Sequence, residues 1–479
     1  MKEFHDYRGP YIRSDQHSSK MMRNVFLALT PIIGFAFYKN GIYPYLKGST
    51  DLYGCFYPIL FLLVTMLTSY LTEALYHRIF MKKKGSVLKM VMSNSYALFP
   101  GLFLSLIMPM NTPIELMILG AFVATIFGKM IYGGFGYNCF NPALVGSLFI
   151  LSLFGSLITS QGGYMNPYEL DTISHATPLT NVAVVDGIGT FDTLVKPYGS
   201  LVDFFFGTIP GALGEVNTAL CLLAFLFLAF TRTIKVKIPL FYILTVFVMT
   251  TIIGSLNGVG MWYPLFQLFS GGLFFGAVFM ATDPVTSPVT PTGQVLFGIC
   301  LGILTVVFRY LTPYPEGVLT SILAMNFCVF LFDKIGSRVR GRAIAKITTI
   351  VLASIFALGI GYAISTKYEK NKTVDPNFEL LEKTVAGTKT VYIATQKGNG
   401  GPIKAQVTFE NNQITNYTVL EQKETPDYYN LVEKNHYLER LLAGQKDLEK
   451  VDTVSGATVS STALKKLLIH VKEEHEQQK

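Results

Sequence analysis

Eleven apolar runs restrict this chain more than any other feature. They fall at about 24–46, 55–77, 95–110, 114–132, 142–159, 216–231, 238–256, 264–281, 295–312, 315–333 and 346–366. A hydrocarbon layer about 30 Å thick takes roughly 20 helical residues to cross, and most of the runs approach that length. Only 15% of residues are charged, against about 25% in soluble domains. The runs therefore predict a polytopic α-helical membrane domain with about 11 transmembrane helices. The run at 95–110 is short and contains Pro100 and Gly101. It reads as a broken or re-entrant helix, tolerable where protein covers the freed backbone.

Lys and Arg exceed Asp and Glu by eight. From Lys367 onward there are 16 basic and 16 acidic residues, so the whole surplus lies in the apolar part. A basic surplus between apolar segments sets membrane orientation and does not call for nucleic acid. With the N-terminus (Lys2, Arg8, Arg13, Lys20, Arg23) in the cytoplasm, three basic loops fall on that same side. They hold Lys82–Lys84, Arg232 with Lys235 and Lys237, and Arg338 with Arg340 and Arg342. The loop at about 160–212 and everything after residue 366 then lie outside. The polar first twenty residues carry no cleavable signal peptide.

The remaining residues predict a small extracytoplasmic α+β domain. Thr390–Gln396, Ile403–Phe409 and Ile414–Leu420 alternate as strands. Turns are expected at 398–401 and 411–412, and helices at Tyr428–Ala443 and Ser460–Glu474. Residues 367–385 read as a charged tether. The expected boundaries are 1–345 for the membrane domain, 346–366 for an anchor helix and 367–479 for the external domain.

Two tetrapeptides stand out against this topology. Ser455-Gly456-Ala457-Thr458 precedes the last predicted helix, and Ser174-His175-Ala176-Thr177 lies in the long outer loop. Both threonines face one compartment. A helix N-terminus favours a phosphate, and Gly456 and Ala457 allow close backbone approach.

Other residues have narrower readings. Glu73, inside the second run, is a candidate for ion or proton handling or a structural hydrogen bond. Asp283 beside Pro284 fixes a turn. Gly207, Gly211 and Gly214 serve ligand approach or helix packing. Arg309 either snorkels or meets a flavin phosphate or partner. Trp262 and Tyr263 read as interface anchors, and His436 as a surface residue. The five cysteines have no zinc spacing, and Cys139 reads as a small buried residue. The glycines at 133–136 lack the strand–turn–helix setting of a dinucleotide fold.

Four stretches, in order, carry a family resemblance. They are Gly133-Gly134-Phe135-Gly136-Tyr137-Asn138-Cys139-Phe140-Asn141-Pro142-Ala143, Gly207–Glu215, Met280–Pro288, and Tyr314–Gly317 followed by Met325-Asn326. Residues 15–345 resemble the RnfD and NqrB membrane subunits. The last 130 or so, through Glu424-Thr425-Pro426 and Ser455–Thr458, resemble the RnfG and NqrC flavin-binding subunits. The chain thus looks like a natural fusion of the two types.

The resemblance implies FMN held covalently through its phosphate on Thr177 and on Thr458. Ser174 and Ser455 open the two motifs, and a separate flavin transferase makes the esters. It also leaves room for a non-covalent riboflavin or FMN among the helices. Implied partners are other Rnf-like membrane and iron–sulfur subunits, within the lipid bilayer. The implied role is electron transfer in a redox-driven ion translocase, since the chain itself has neither iron–sulfur cysteine clusters nor an NAD fingerprint. His175 departs from the usual motif, as does Asp427-Tyr428-Tyr429 after Glu-Thr-Pro, where relatives carry Gly-Leu-Gly. Two other readings fit the residues: electron export from a quinone pool to an external acceptor, and a secondary transporter with an external binding domain.

Overall fold

The computed structural model describes residues 17–160, 178–179, 188–215, 217–312, 317–373, 377–386, 389–398, 401–410, 413–423, 426–445, 448, 451, 453–454 and 458–477. Two compact units divide the chain, Met1–Tyr368 and Glu369–Lys479.

Each of the eleven apolar runs is helical. In the first half, α1 spans Ser18–Leu46 and α2 Leu52–Ile79. Then come α3 (Gly85–Ser95), α4 (Phe99–Ile107), α5 (Ile114–Thr125, continued by a π-helical turn at Ile126–Met130) and α6 (Pro142–Ser160). A short α7 (Leu201–Phe206) leads to α8 (Thr218–Phe230) and α9 (Lys237–Leu256). The bent pair α10 (Trp262–Phe269) and α11 (Leu273–Met280) turns by 62°. Next are α12 (Pro291–Leu311), a second pair bent by 60°, α13 (Val318–Phe327) and α14 (Val329–Arg338), and finally α15 (Ala343–Thr373). Among the described residues, six helices are long and apolar enough to cross a membrane, or eight with each bent pair as one span.

Glycines set the closest approaches. A Cβ on Gly298 of α12 would stand 2.8 Å from the Ile238 carbonyl oxygen and 3.0 Å from the Phe241 side chain, both on α9. Gly302, one turn on, would meet Thr245 at 2.6 Å. Polar groups in the bundle pair with each other. Tyr242 Oη lies 2.6 Å from Thr305 Oγ1, which lies 2.8 Å from Ser321 Oγ. Large apolar side chains such as Leu63, Leu67, Leu223 and Phe356 remain exposed on helix flanks, as lipid contact requires.

The predicted break near Pro100 lies just upstream of it. Tyr96 adopts φ +52° between α3 and α4, and Pro100 occupies the first turn of α4, where its missing N–H costs nothing.

The second unit is an antiparallel meander in the order β1-β2-β3-β4. Its strands are β1 (Phe378–Ala386), β2 (Lys389–Lys397), β3 (Pro402–Glu410) and β4 (Gln413–Gln422). Three helices follow, α16 (Pro426–Lys434), α17 (Tyr437–Ala443) and α18 (Thr458–Gln477). Leu464, Leu467, Leu468 and Val471 of α18 pack with Tyr392, Val407 and Phe409 of the sheet in one core. Tyr417 Oη donates to the Leu464 carbonyl oxygen at 2.8 Å.

Several expectations need correction. The tether at 367–385 is largely ordered structure: α15 runs on to Thr373 and β1 starts at Phe378. Charged residues on β1 disguised a strand whose exposed side faces solvent. The single helix expected at Tyr428–Ala443 is two, broken at His436 with φ +46°. His436 is 73% exposed, as expected. The turns at 399–400 and 411–412 lie outside the described residues.

Gly298→Val should force α9 and α12 apart. It should cost about 1–3 kcal/mol, read as a lower melting temperature of the detergent-solubilised protein. An unchanged melting temperature would show that this contact does not govern packing.

Candidate functional site

The first signature loop owes its path to glycine. Gly133, Gly134 and Gly136 adopt φ of +113°, +99° and +93°, a region that side chains make costly. The loop leaves the π-helical turn that ends at Met130. A second π-helical turn, Gly276–Met280, delivers the other signature loop, Met280–Pro288. Such turns are rare and concentrate at functional sites. Asp283 organises the second loop, accepting the Thr286 hydroxyl at 2.9 Å and, through its backbone carbonyl, that of Ser287. Lys235 donates to Ser287 Oγ at 2.9 Å.

Asn326, from the fourth signature, joins the loops. With its amide turned to satisfy both bonds, it donates to the Thr286 carbonyl (3.1 Å) and accepts from the Asn141 N–H (3.1 Å). On the other side of the α13–α14 pair, Asp333 accepts the N–H groups of Val289 and Thr290 at 2.9 and 2.8 Å.

Together the loops wall a cavity of about 790 Å³, partly open to solvent. That volume lies within the range of small-molecule sites, about 300–1,000 Å³. Tyr96, Phe99, Phe103 and Phe135 supply aromatic surface, and Asn138 and Asn141 supply amides. Tyr96 and Phe135 meet edge to face at 4.8 Å. Lys129 and Asp283 are the charged residues of the lining. Lys129 Nζ donates to Glu73 Oε2 and to the Ser95 carbonyl, both at 2.6 Å. Sequence reading singled out Glu73 but missed Lys129, which the apolar run around it hid. Flat aromatic walls, amides and one cation fit the ring system of a non-covalent flavin.

A second polar cluster lies where α10 gives way to α11. Arg309 is buried, so snorkelling is corrected. Its Nη1 donates to the Gln267 carbonyl (2.6 Å), and Nη2 to that of Ser270 (3.3 Å). Tyr263 is buried too, bonded to Tyr310 Oη at 2.5 Å; it is a bundle residue and not an interface anchor. A Cβ on Gly271 would meet the Leu179 side chain at 2.7 Å and Arg309 Nη2 at 3.7 Å. The chain just after Thr177 is thus pinned beside a buried guanidinium. Ser174 and Thr177 themselves lie outside the described residues.

The Gly207–Glu215 stretch is held by its ends. Gly207 caps α7 with φ +77°, and Gly214 N–H donates to the Leu106 carbonyl at 2.8 Å. Asp203 Oδ1 accepts the Thr208 hydroxyl at 3.1 Å. The Ser200 hydroxyl and N–H, with Thr208, hold the Asp203 carboxyl below the usual carboxylate range.

In the second unit α18 begins at Thr458. Ser455, Gly456, Ala457, Glu424 and Thr425 lie outside the described residues, but the flanks of the motif are fixed. Val454 N–H donates to Ser461 Oγ at 3.1 Å, and Lys465 Nζ to the Val451 carbonyl at 2.9 Å. A 20-residue helix starting at the motif fits a phosphate group there. Cys139 is exposed and not buried, because the glycine-rich path turns it out of the bundle. Among the described residues no cluster of His, Cys, Asp and Glu could hold a metal ion.

Two changes test this geometry. Asn326→Ala should lower stability by about 1–3 kcal/mol by stranding two buried backbone groups; an unaltered melting temperature would remove its bridging role. Because the Asp203 carboxyl is depressed, its contribution is present above the unfolded value of about 3.9. That contribution is lost as pH falls through the lower folded value. Hydrogen exchange across residues 200–208 should rise at acid pH, and Asp203→Asn should reproduce the rise at neutral pH.

Known proteins share these features. The chain is 32% identical over 327 residues to the D-type subunit of the proton-translocating ferredoxin:NAD(+) oxidoreductase complex of Clostridium ljungdahlii, covering 68% of this chain and 92% of that protein. It is 30% identical over 328 residues to the D-type subunit of the Na(+)-translocating ferredoxin:NAD(+) oxidoreductase complex of Acetobacterium woodii, covering 68% and 91%. Residues 398–471 match the FMN-binding domain. Residues 7–341 match the NQR2, RnfD, RnfE family, and a chain that carries that match over most of its length, with the signature loops closing one cavity, belongs to this family.

Proposed function

We propose that this chain is the membrane flavoprotein subunit of an Rnf-like ion-translocating electron-transport complex. One observation carries the reading: an RnfD-type domain and an FMN-binding domain occur in a single polypeptide. Covalently bound flavin supplies one- and two-electron chemistry. In this reading FMN is esterified to Thr177 and to Thr458 by a flavin transferase. With eleven crossings both threonines lie outside the cytoplasm, where a dissociated cofactor would be lost. The expected divisions at 345 and 366 remain part of the proposal.

The chain's own residues have distinct tasks. At Thr458 the free N–H groups of the α18 N-terminus face a phosphate, and the Val454–Ser461 bond keeps the motif from unravelling. Thr177 lies two residues before Leu179, at most about 7 Å along the chain. Arg309 therefore supplies positive charge toward a phosphoester at Thr177. A non-covalent riboflavin or FMN occupies the cavity, with Tyr96 and Phe135 against its ring and the amides of Asn138 and Asn141 orienting it. Ferredoxin and NAD chemistry, named in the relatives, belongs to iron–sulfur and other membrane subunits.

Mass spectrometry of peptides containing Thr177 and Thr458 should find added FMN on each. Thr177→Ala and Thr458→Ala should each remove one covalent flavin, and the double variant should lose in-gel flavin fluorescence. Unmodified threonines in protein matured with a flavin transferase would refute covalent attachment.

A further inference from the structure

The bundle holds a buried charged seam that the proposed electron route does not use. α2 and α5 face each other in register: Thr125 Oγ1 donates to Ser69 Oγ at 3.1 Å, and one turn on Lys129 pairs with Glu73 at 2.6 Å. One turn further along α2, His77 Nε2 stands 3.9 Å from Glu73 Oε1. Glu73 is fully buried, Lys129 is 3% exposed and His77 7%. Glu73 Oε1 and His77 Nδ1 are buried without a hydrogen-bond partner. Such orphans are uncommon and call for a missing occupant. His77 sits in the last turn of α2, where its carbonyl accepts the Lys83 N–H at 3.0 Å within the basic Lys82–Lys84 stretch. At the other end, Lys129 lines the cavity.

We propose that His77, Glu73 and Lys129 form a proton route from the basic-loop face of the bundle to the cavity. The inference rests on the reading that the cavity holds a redox group that takes up a proton on reduction. The electron comes from a one-electron carrier of a partner subunit. Lys129 Nζ gives one proton to the base so formed. His77, protonated from water, passes a proton from Nε2 to Glu73 Oε1. The carboxyl turns and returns that proton to the Lys129 amine. One electron and one proton enter the cavity, and Glu73 and Lys129 regain their charged forms. The charges facing the route are Lys83 near His77 and the Glu73–Lys129 pair itself.

A metal cation suits this position poorly. An ammonium 2.6 Å from the carboxylate would repel it strongly in so dry a place. Hard cations also need several oxygen ligands, and here the unused donors are one carboxylate oxygen and one imidazole nitrogen. A proton needs no such shell.

The test uses the full chain in its complex, with a pH-indicator dye followed during rapid reduction. Glu73→Gln should slow proton uptake on the order of a hundredfold. Because that change strands the Lys129 charge, the paired Glu73→Gln/Lys129→Gln variant is measured beside it and should be equally slow. His77→Gln should also slow uptake and recover in part with added imidazole. Infrared difference spectra should show a transient protonated-carboxyl band that disappears in Glu73→Gln. Proton uptake at the wild-type rate in a folded, flavin-loaded variant would overturn the route. So would a sodium dependence that only Glu73→Gln abolishes. Acid-extractable flavin is counted in each preparation: none in the wild type would overturn the cavity reading and the route with it, whereas full loading with unchanged uptake would overturn the route alone.

Discussion

Hydrogen-bond satisfaction of the backbone in a medium without water governs this fold. Every peptide group inside lipid needs a partner from its own helix or from covering protein. The chain obeys this with eleven helical runs and relaxes it at a few places. Tyr96, the Gly133–Gly136 loop and the turn after Met280 are such places, and all three border one cavity. Irregular backbone is tolerated there because Asn326, Asp283 and Asp333 replace the lost helical bonds. The same constraint that builds the bundle therefore also locates its site.

Charge follows a parallel logic. A lone buried ion in this bundle would be prohibitive, so each comes with company. Lys129 has Glu73 and a carbonyl, and Arg309 has two carbonyls from the α10–α11 break. The break thus does two things at once: it frees carbonyl oxygens and spends them on a guanidinium.

Much of this was legible in the residues. Apolar run length marks helices directly, and the alternation in β2, β3 and β4 marked strands. Four signature stretches pointed to the family before any geometry was known. What stayed hidden shares one cause, contact across long sequence distances. Lys129 reads as an interruption in an apolar run until Glu73, 56 residues earlier, is placed beside it. Arg309 reads as snorkelling until the bend at Ser270 is seen to receive it. β1 was lost because its charged residues lie on a side that solvent covers, and Tyr263 because its Tyr310 partner comes from another helix. The tetrapeptides themselves lie largely outside the described residues, so their flanks, Leu179 on one and Val454 with Ser461 on the other, carry the structural part of the reading.

Of the five thiols, Cys55 and Cys221 are buried, Cys300 and Cys328 are half-covered, and Cys139 alone is exposed among them. That single outward sulfur sits on the rim of the aromatic cavity, between Asn138 and Asn141. It gives the molecule a built-in reporter. A dye attached there by maleimide chemistry would sense the cavity filling and emptying, and a reagent unable to penetrate intact vesicles would reveal which way the rim points, without any engineered handle.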